Sequence, residues 1–549
     1  MRPNRTRCVE FILLTLFVVF LFKTLGFWED KFSVQRGFVY RLRDGDESHP
    51  VENLHAAAKK QFFDLLSRQS VTAADAVVEY RRRYGRNPPP EFNKWFAFAK
   101  KHASLIVDDY DEMMRSLEPF RKMAPSDVLR IMERANSTEQ TRGYIKKCSV
   151  VQGKLKDCGA WAHVMSRSWS IEKVLQDLPN IIFIANYMDE PAVLAKHQTV
   201  EVSPVESDEK FMWSTIHHEP IWPQVWGVCD KISEHKQPET SLMTQSLLHF
   251  VGNVTPETDL CKHPEFKEIH GYLASAINSL HIDRAVPVLS RAVPYPFGDI
   301  LFPAPSYSWA QFSYSSWRDR SWHRKKDALY WAGSNTGSYT RDETWRRHHR
   351  QRLVLLGFGK ISNFAGQKGK KSFTYLERAE QRSHWTPYTT SRFDRSLYNV
   401  AITKISECDE PACQQQKETF RPPRNPKSSS EPYRYKYVFD IDGNSLSGRF
   451  YRLLASNSAV LKTTIFKEWH DERLIPWLHY IPVSLGFDEL PELMRFLATT
   501  DEGREIGRRV AQEGKAWHAK GLREVDRGVY FYRLLIELAW LQNPDRVAS

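Results

Sequence analysis

Residues 435–463 read YKYVFDIDGNSLSGRFYRLLASNSAVLKT. The run from Tyr435 to Ile441 is rich in aromatic and β-branched side chains and predicts a buried strand. DGNSLSG (442–448) is small and polar and predicts a loop. RFYRLLASN (449–457) takes up a helical pattern, and AVLKT (459–463) returns to a strand. A strand, a helix and a second strand in so short a space imply parallel pairing. A parallel sheet needs helices on its faces, so this part of the chain is α/β. Three helical patterns follow it: ELPELMRFLAT (489–499), EIGRRVAQEGKAWHAKGL (505–522) and VYFYRLLIELAWL (529–541).

The loop between strand and helix is also the best mechanical candidate for a ligand site. Gly443, Ser445, Ser447 and Gly448 are small, so their backbone amides can approach an anion closely. Ser447 has the chemistry of an N-cap, and a helix start presents unpaired N–H groups and a positive dipole end. Arg449 adds a planar fork suited to phosphate. An ordinary βα turn has the same composition, and neither a Walker loop nor G-x-G-x-x-G is present. A second loop of small residues, Gly333-Ser-Asn-Thr-Gly337, follows the strand candidate LYWAG (329–333). Arg341, Arg346, Arg347 and Arg350 come after it, either as a solvated face or as cations for an anion.

Further upstream, IIFIA (181–185) predicts a buried strand after a helix at IEKVLQDL (171–178), and the run ending at Ser290 predicts another. Asp189 follows that first strand, where open α/β sheets place function, although a turn-forming Asp before Glu190-Pro191 looks the same. Two D-x-D triplets bear on metal binding. Asp109-Tyr-Asp111 lies in a helical pattern, where residues two apart diverge. Asp440-Ile-Asp442 ends a strand, where alternate residues share a face, so it alone has usable geometry. The loop beyond it is equipped to bind phosphate without an ion, and no metal ligands are assigned.

The rest of the chain sets the context. It has 549 residues, 41% of them hydrophobic, and the balance of 78 basic against 66 acidic residues gives a net charge of +12. At ~150 residues per domain, two to four domains are expected. The positive charge is spread out, so a nucleic-acid tail is not expected, and a mean hydropathy of −0.52 excludes a polytopic membrane protein. Residues 11–28, FILLTLFVVFLFKTLGFW, are long enough for one span if Lys23 snorkels. Arg2, Arg5 and Arg7 precede them, and a cleaved signal peptide is the rival. A cytosolic tail (1–10), a signal anchor (11–28) and a helical stem region (29–140) are therefore expected, with the rest luminal. Six cysteines follow the anchor; local pairing gives 148–158, 229–261 and 408–413, with free thiols or zinc as alternatives. Sequons stand at Asn136 and Asn253. PPP (88–90) opens a helix at Glu91, and 415–432 has the composition of a loop.

The run FDIDGNSLSGRFYRLLASNSAVLKTTIFKEWHDERLIPWLHYIPV (439–483) resembles glycosyltransferase family 90, the capsule-associated-protein-like family that includes Rumi-type protein O-glucosyltransferases. LYWAGSNTG (329–337), Phe297-Gly-Asp-Ile-Leu-Phe-Pro and Asn186-Tyr-Met-Asp189-Glu-Pro191 fit as well, and YRRRYGRNPPPEFNKWFAFAKKH (80–102) is similar to the stem of the fungal branch. The resemblance implies a GT-B architecture: two Rossmann-like domains facing a cleft, here 141–325 on the acceptor side and 326–525 on the UDP-sugar side, with a C-terminal helix at 526–549. It implies inverting transfer from a UDP-sugar, xylose before glucose, to a glycan or glycoprotein hydroxyl in the Golgi or ER, with no obligatory Mn²⁺. A catalytically silent luminal carbohydrate-binding protein on the same fold is the alternative. Residue by residue, Asp189 matches the catalytic base. Gly333 and Ser334 match the first phosphate loop, and Arg341 the arginine near it. Gly443, Ser445, Ser447 and Arg449 match the second loop. Glu468 and Trp469 match positions lining the nucleotide pocket. Ala332 departs from the family, which often has Arg there.

Overall fold

The computed structural model describes residues 39–41, 47–136, 141, 143–195, 211, 213–232, 248–361, 372–378, 384–423 and 428–546. The expected tail and anchor (1–28) lie outside them. Among the described residues no helix is long and apolar enough to cross a membrane.

Two five-stranded sheets organise the chain. The first uses β1 (Ile145–Val151), β2 (Lys154–Lys156), β3 (Ile181–Asn186), β4 (Val288–Ser290) and β5 (Ile300–Leu301), in the order β2-β1-β3-β4-β5. Its β3, β4 and β5 run parallel, and β1 is antiparallel to both neighbours. The second sheet uses β6 (Lys326–Ser334), β7 (Tyr398–Lys404), β8 (Tyr435–Ile441), β9 (Ala459–Thr463) and β10 (Ile481–Pro482), in the order β7-β6-β8-β9-β10, parallel throughout. Every residue of β8 is buried, as a central parallel strand requires.

Helices α1 (Pro50–Ser67), α2 (Ala73–Tyr84), α3 (Phe92–Lys101), α4 (Asp111–Arg121) and α5 (Pro125–Asn136) open the described body. They do not project as a stem. The His49 ring lies 3.1 Å from Glu492, and the Trp95 indole donates to the Val529 carbonyl at 2.9 Å. The later helices are α6 (His349–Gly357), α7 (Glu410–Phe420), α8 (Phe450–Leu454), α9 (Leu490–Thr499), α10 (Asp501–Gly521) and α11 (Glu524–Gln542). Helix α11 follows the second sheet in sequence but returns to the first, where the Gln542 amide bonds the backbone of Ile182 in β3 in both directions. Arg533 of α11 is buried among the rings of Tyr80, Phe92, Trp95 and Tyr110 and paired with Glu537 at 3.0 Å, which ties α2–α4 to it.

Three expected elements differ. The helix after the 442–448 loop ends at Leu454 rather than Asn457, because the Ser456 hydroxyl donates to the Leu453 carbonyl and competes with the helical ladder. IEKVLQDL forms only one 3₁₀ turn, Val174–Asp177, since Leu178 precedes a proline and is extended. The supposed loop at 415–432 begins inside α7, whose Gln, Lys and Glu are good helix formers and whose Gln416 is buried against Asn335 and Thr340.

The three cysteine pairs form as local pairing anticipates: 148–158, 229–261 and 408–413. Asn253 is exposed, as a glycan acceptor must be. The Asn136 triplet runs into residues outside those described.

Candidate active site at the switch point of the parallel sheet

In the second sheet, β6 is followed by β7 on one side and the chain then crosses to β8 on the other. The point where strand order reverses lies between β6 and β8, and ligands of such sheets bind outside the carboxyl ends there. Those two ends carry the loops 333–337 and 442–448. The loops touch: a Cβ on Gly337 would lie 3.2 Å from the Gly443 backbone. A Cβ on Gly333 would fall 2.8 Å from the Trp331 ring, and one on Gly448 would fall 2.6 Å from the Phe312 ring. Small residues are required here by close approach.

Arg449 sits on the cap position of α8, and its Nη1 donates to the Ala332 carbonyl at 2.7 Å. Ser447 is not the side-chain cap expected. Its hydroxyl donates to the buried Asp440 carboxylate, and Arg449 rather than Ser447 takes the cap position of α8. Ser445 Oγ and Asn444 Oδ1 are buried with no protein partner, so this loop holds unspent hydrogen-bonding capacity.

Beside the loops lies a cavity of about 400 Å³, lined among others by Tyr330, Trp331, Ala332, Lys404, Arg449 and Arg452. Arg350, in the first turn of α6, reaches both loops from behind. Burial and the neighbouring Arg449 push its guanidinium down to about 9. Among the described residues neither Arg350 nor Arg449 forms an ion pair with a carboxylate. Of the predicted site residues only Arg449 lines this cavity; Gly333, Ser334, Gly443, Ser445 and Ser447 do not. Its cations and aromatic walls suit an anionic ligand with a ring to stack.

Arg341 and Glu468 lie elsewhere. Arg341 is about half exposed, and its guanidinium pairs with Glu219 at 3.2 Å. Glu468 is buried behind the site: it accepts from the Tyr307 hydroxyl at 2.6 Å and lies 3.8 Å from Lys462. Lys462 in turn holds Asp440 at 3.0 Å, and Asp440 receives Ser447. Glu468 therefore backs the loop through two intermediaries and does not line the cavity.

The second Asp of the D-x-D triplet joins a different group. Asp442 Oδ1 lies 3.0 Å from His270 Nε2 and 3.3 Å from His349 Nε2, all three residues buried. The atoms are close enough to share an ion. The two imidazoles, however, are stacked with planes 6° apart and centroids 4.2 Å apart. A metal must lie near the plane of each imidazole it binds, and two stacked parallel planes do not meet at one point. His349 Nδ1 accepts from the Gly271 amide at 3.2 Å, so its Nε2 carries the proton and donates toward Asp442. The Asp442 carboxylate also accepts from Thr464 Oγ1 and the Ile465 amide; burial raises its pKa, but His270 and then His349 outweigh burial and hold it well below the usual carboxylate range. The cluster is a hydrogen-bonded seam between the two halves.

Asp189 belongs to the other sheet, just beyond the carboxyl end of β3 and beside β4. Its side chain is 62% exposed, enough to meet a substrate, and Arg291 Nη2 holds Oδ1 at 2.8 Å. Arg291 is itself fixed by the Met188 carbonyl at 2.5 Å and by the Trp161 ring. Next to it Glu190 is buried, and burial followed by the Asp189 charge pushes its carboxyl up to about 8. Two residues after Arg291, Val293 pairs with Lys467 in the second half, and the segment after β5 places Phe312 against Gly448. Arg291 and His270 carry no local sequence signal. Arg350 did, as one of four arginines after the first loop.

Residues 278–547 match the model of glycosyl transferase family 90. The chain is 36% identical over 106 residues to an O-glucosyltransferase rumi homolog of Aedes aegypti, 18% of this chain and 25% of that one. It is 31% identical over 107 residues to protein O-glucosyltransferase 1 of Homo sapiens, 19% and 26% of the two chains. It is 29% identical over 109 residues to protein O-glucosyltransferase 3 of Rattus norvegicus, 20% and 21%. The matches thus span about a quarter or less of the relatives' length.

Proposed function

We propose, on the premise that residues 278–547 match the model of glycosyl transferase family 90, that the protein is an inverting transferase that moves a sugar from a UDP-sugar to a hydroxyl of a glycan or glycoprotein. The observation that carries this reading is the meeting of two small-residue loops and Arg449 at the switch point of one sheet, with an arginine-held carboxylate, Asp189, at the carboxyl end of the other. The two sheets are the Rossmann-like halves of a GT-B enzyme in this proposal.

Asp189 takes the proton of the acceptor hydroxyl as that oxygen attacks the anomeric carbon. The bond from that carbon to the UDP oxygen breaks on the opposite face, inverting the centre. The diphosphate charge that develops is met by Arg449 and the loop amides of 333–334 and 443–448. Guanidiniums supply the countercharge, so an added divalent ion is not required. Arg291 keeps the Asp189 oxygen aimed, and the other oxygen is left for the acceptor.

UDP-xylose and UDP-glucose are the donors to compare. The fungal-type segments favour the first, and the curated relatives, named as O-glucosyltransferases, favour the second. The full-length protein incubated with each UDP-sugar, with and without EDTA, should release UDP from one of them at an unchanged rate in EDTA. Release from neither with a range of glycan acceptors would overturn the proposal, and loss in EDTA would overturn its metal-free part. The three disulfides fit an oxidising compartment. We place the body in the Golgi or ER lumen behind a type II anchor at 11–28, which protection from external protease in sealed microsomes tests.

A further inference from the structure

Arg449 and Arg452, one turn apart at the start of α8, both line the cavity of about 400 Å³, and Lys404 reaches it from the end of β7. No Asp or Glu stands in the cavity wall. Among the described residues none of the three cations forms an ion pair with a carboxylate. The Nη1 of Arg449 is spent on the Ala332 carbonyl at 2.7 Å. Arg452 makes one long bond, from Nη1 to the Gln311 carbonyl at 3.4 Å, and its Nε is buried with no protein partner. Burial lowers the pKa of its guanidinium, as it does for a cation short of countercharge. The indole N–H of Trp331, another wall residue, is also buried without a partner. Three cations around one space repel one another, and buried charge is normally retained with a countercharge. Much of the remaining wall is apolar, with Phe439 and Leu453 beside Trp331. None of the glycines of the two small-residue loops lines it.

We propose that this cavity is a second anion site, taking a phosphate monoester carried on a flat apolar ring, separate from the diphosphate site at the two loops. A phosphate monoester brings about two negative charges and three acceptor oxygens at neutral pH. That matches a cluster of three cations better than a single carboxylate does. Arginine forks receive such oxygens in pairs, the Nε of Arg452 supplies an unspent donor, and the apolar wall takes the ring. Arg449 is common to the cavity and to the proposed donor site. Arg452 and Lys404 belong to the cavity alone, so they tell the two sites apart.

The test titrates phenyl phosphate, inorganic phosphate and phenol into the full-length protein by calorimetry, with and without saturating UDP. It uses wild type, Arg452→Met and Lys404→Met, with melting temperature as the check on folding. Phenyl phosphate should bind at one site whether or not UDP is present, and phenol should not bind. Inorganic phosphate should bind about tenfold more weakly, since it leaves the apolar wall empty. Arg452→Met should weaken phenyl phosphate about tenfold or more, as loss of a charged hydrogen bond does, and leave UDP within about twofold. Lys404 is exposed, so Lys404→Met should fold and show a smaller loss of the same kind; it decides if Arg452→Met does not fold. Three results would overturn the proposal: no binding of phenyl phosphate to wild type, binding unchanged in the folded variants, or complete displacement by UDP. The last would make the cavity part of the donor site. Inorganic phosphate binding as tightly as phenyl phosphate would overturn the ring-bearing ligand. If UDP does not bind at all, the donor-site proposal fails, and the two variants still decide this one.

Discussion

The Nη1 of Arg449 lies 2.7 Å from the carbonyl oxygen of Ala332, so the start of helix α8 is tied to the end of strand β6 through backbone. The bond does not depend on the side chain at 332. It therefore survives where the family often carries Arg and this chain carries Ala. The remaining donors of Arg449 stay at the wall of the 400 Å³ cavity.

Arg449→Ala should weaken UDP binding by about 1.5–3 kcal/mol, the usual worth of a hydrogen bond to a charged group. That is roughly a 10- to 150-fold rise in dissociation constant. Titration calorimetry of UDP into wild type and variant reads it directly. Affinity equal to wild type would remove Arg449 from the anion's site.

Asp189→Asn should abolish transfer and leave UDP affinity within about twofold, because the residue lies on the first sheet, away from the diphosphate loops. General-base loss typically costs 10²–10⁴ in rate. Arg291→Met should lower the turnover number less than Asp189→Asn does, since it removes only the group that aims the carboxylate. Steady-state rates with the accepted donor, beside UDP titrations, check both. An active Asp189→Asn enzyme would sink the assignment of the base.

How much of this could be read along the chain depends on range. Tyr435–Ile441 and Ala459–Thr463 fold as strands at the expected residues because their aromatic and β-branched runs are local and unbroken. The loops 333–337 and 442–448 were legible because close approach demands small residues at each point. Ser447 binds Asp440 instead of capping the helix, and Asp440 comes within its reach only once the strand and loop fold back together. His270 comes to Asp442 from 172 residues away, and Arg350 bonds the same residue from 92 residues away. No local pattern marks such meetings. Glu468 lies near the site along the chain, yet Tyr307 and Lys462 draw it into the interior.

Burial pushes the Glu468 carboxyl up to about 8, from an ordinary 4.5. The folded state thus holds a proton there that the unfolded state releases above about 4.5, so stability from this group is full at acidic pH and is lost as pH rises through about 8. Glu468→Gln mimics the protonated form and keeps the Tyr307 contact. Its melting temperature should fall less than that of wild type between pH 6 and pH 9, the gap corresponding to on the order of a few kcal/mol. Parallel melting curves across that range would refute the assignment of a proton to Glu468.

Gly448 separates the second loop from helix α8, and a Cβ placed on it would fall 2.6 Å from the Phe312 ring. Phe312 comes from the segment that joins the two sheets, so this contact sets how closely that segment packs on the loop. Gly448→Ala should cost about 1–3 kcal/mol by overpacking, and should weaken UDP as the loop shifts. Phe312→Leu alone should have a smaller effect, since it only thins a partly exposed contact. Combined with Gly448→Ala it should restore most of the lost stability, giving a coupling of about 0.5–3 kcal/mol in a double-mutant cycle. Additive losses in chemical denaturation would show that the glycine is needed for some reason other than the Phe312 ring.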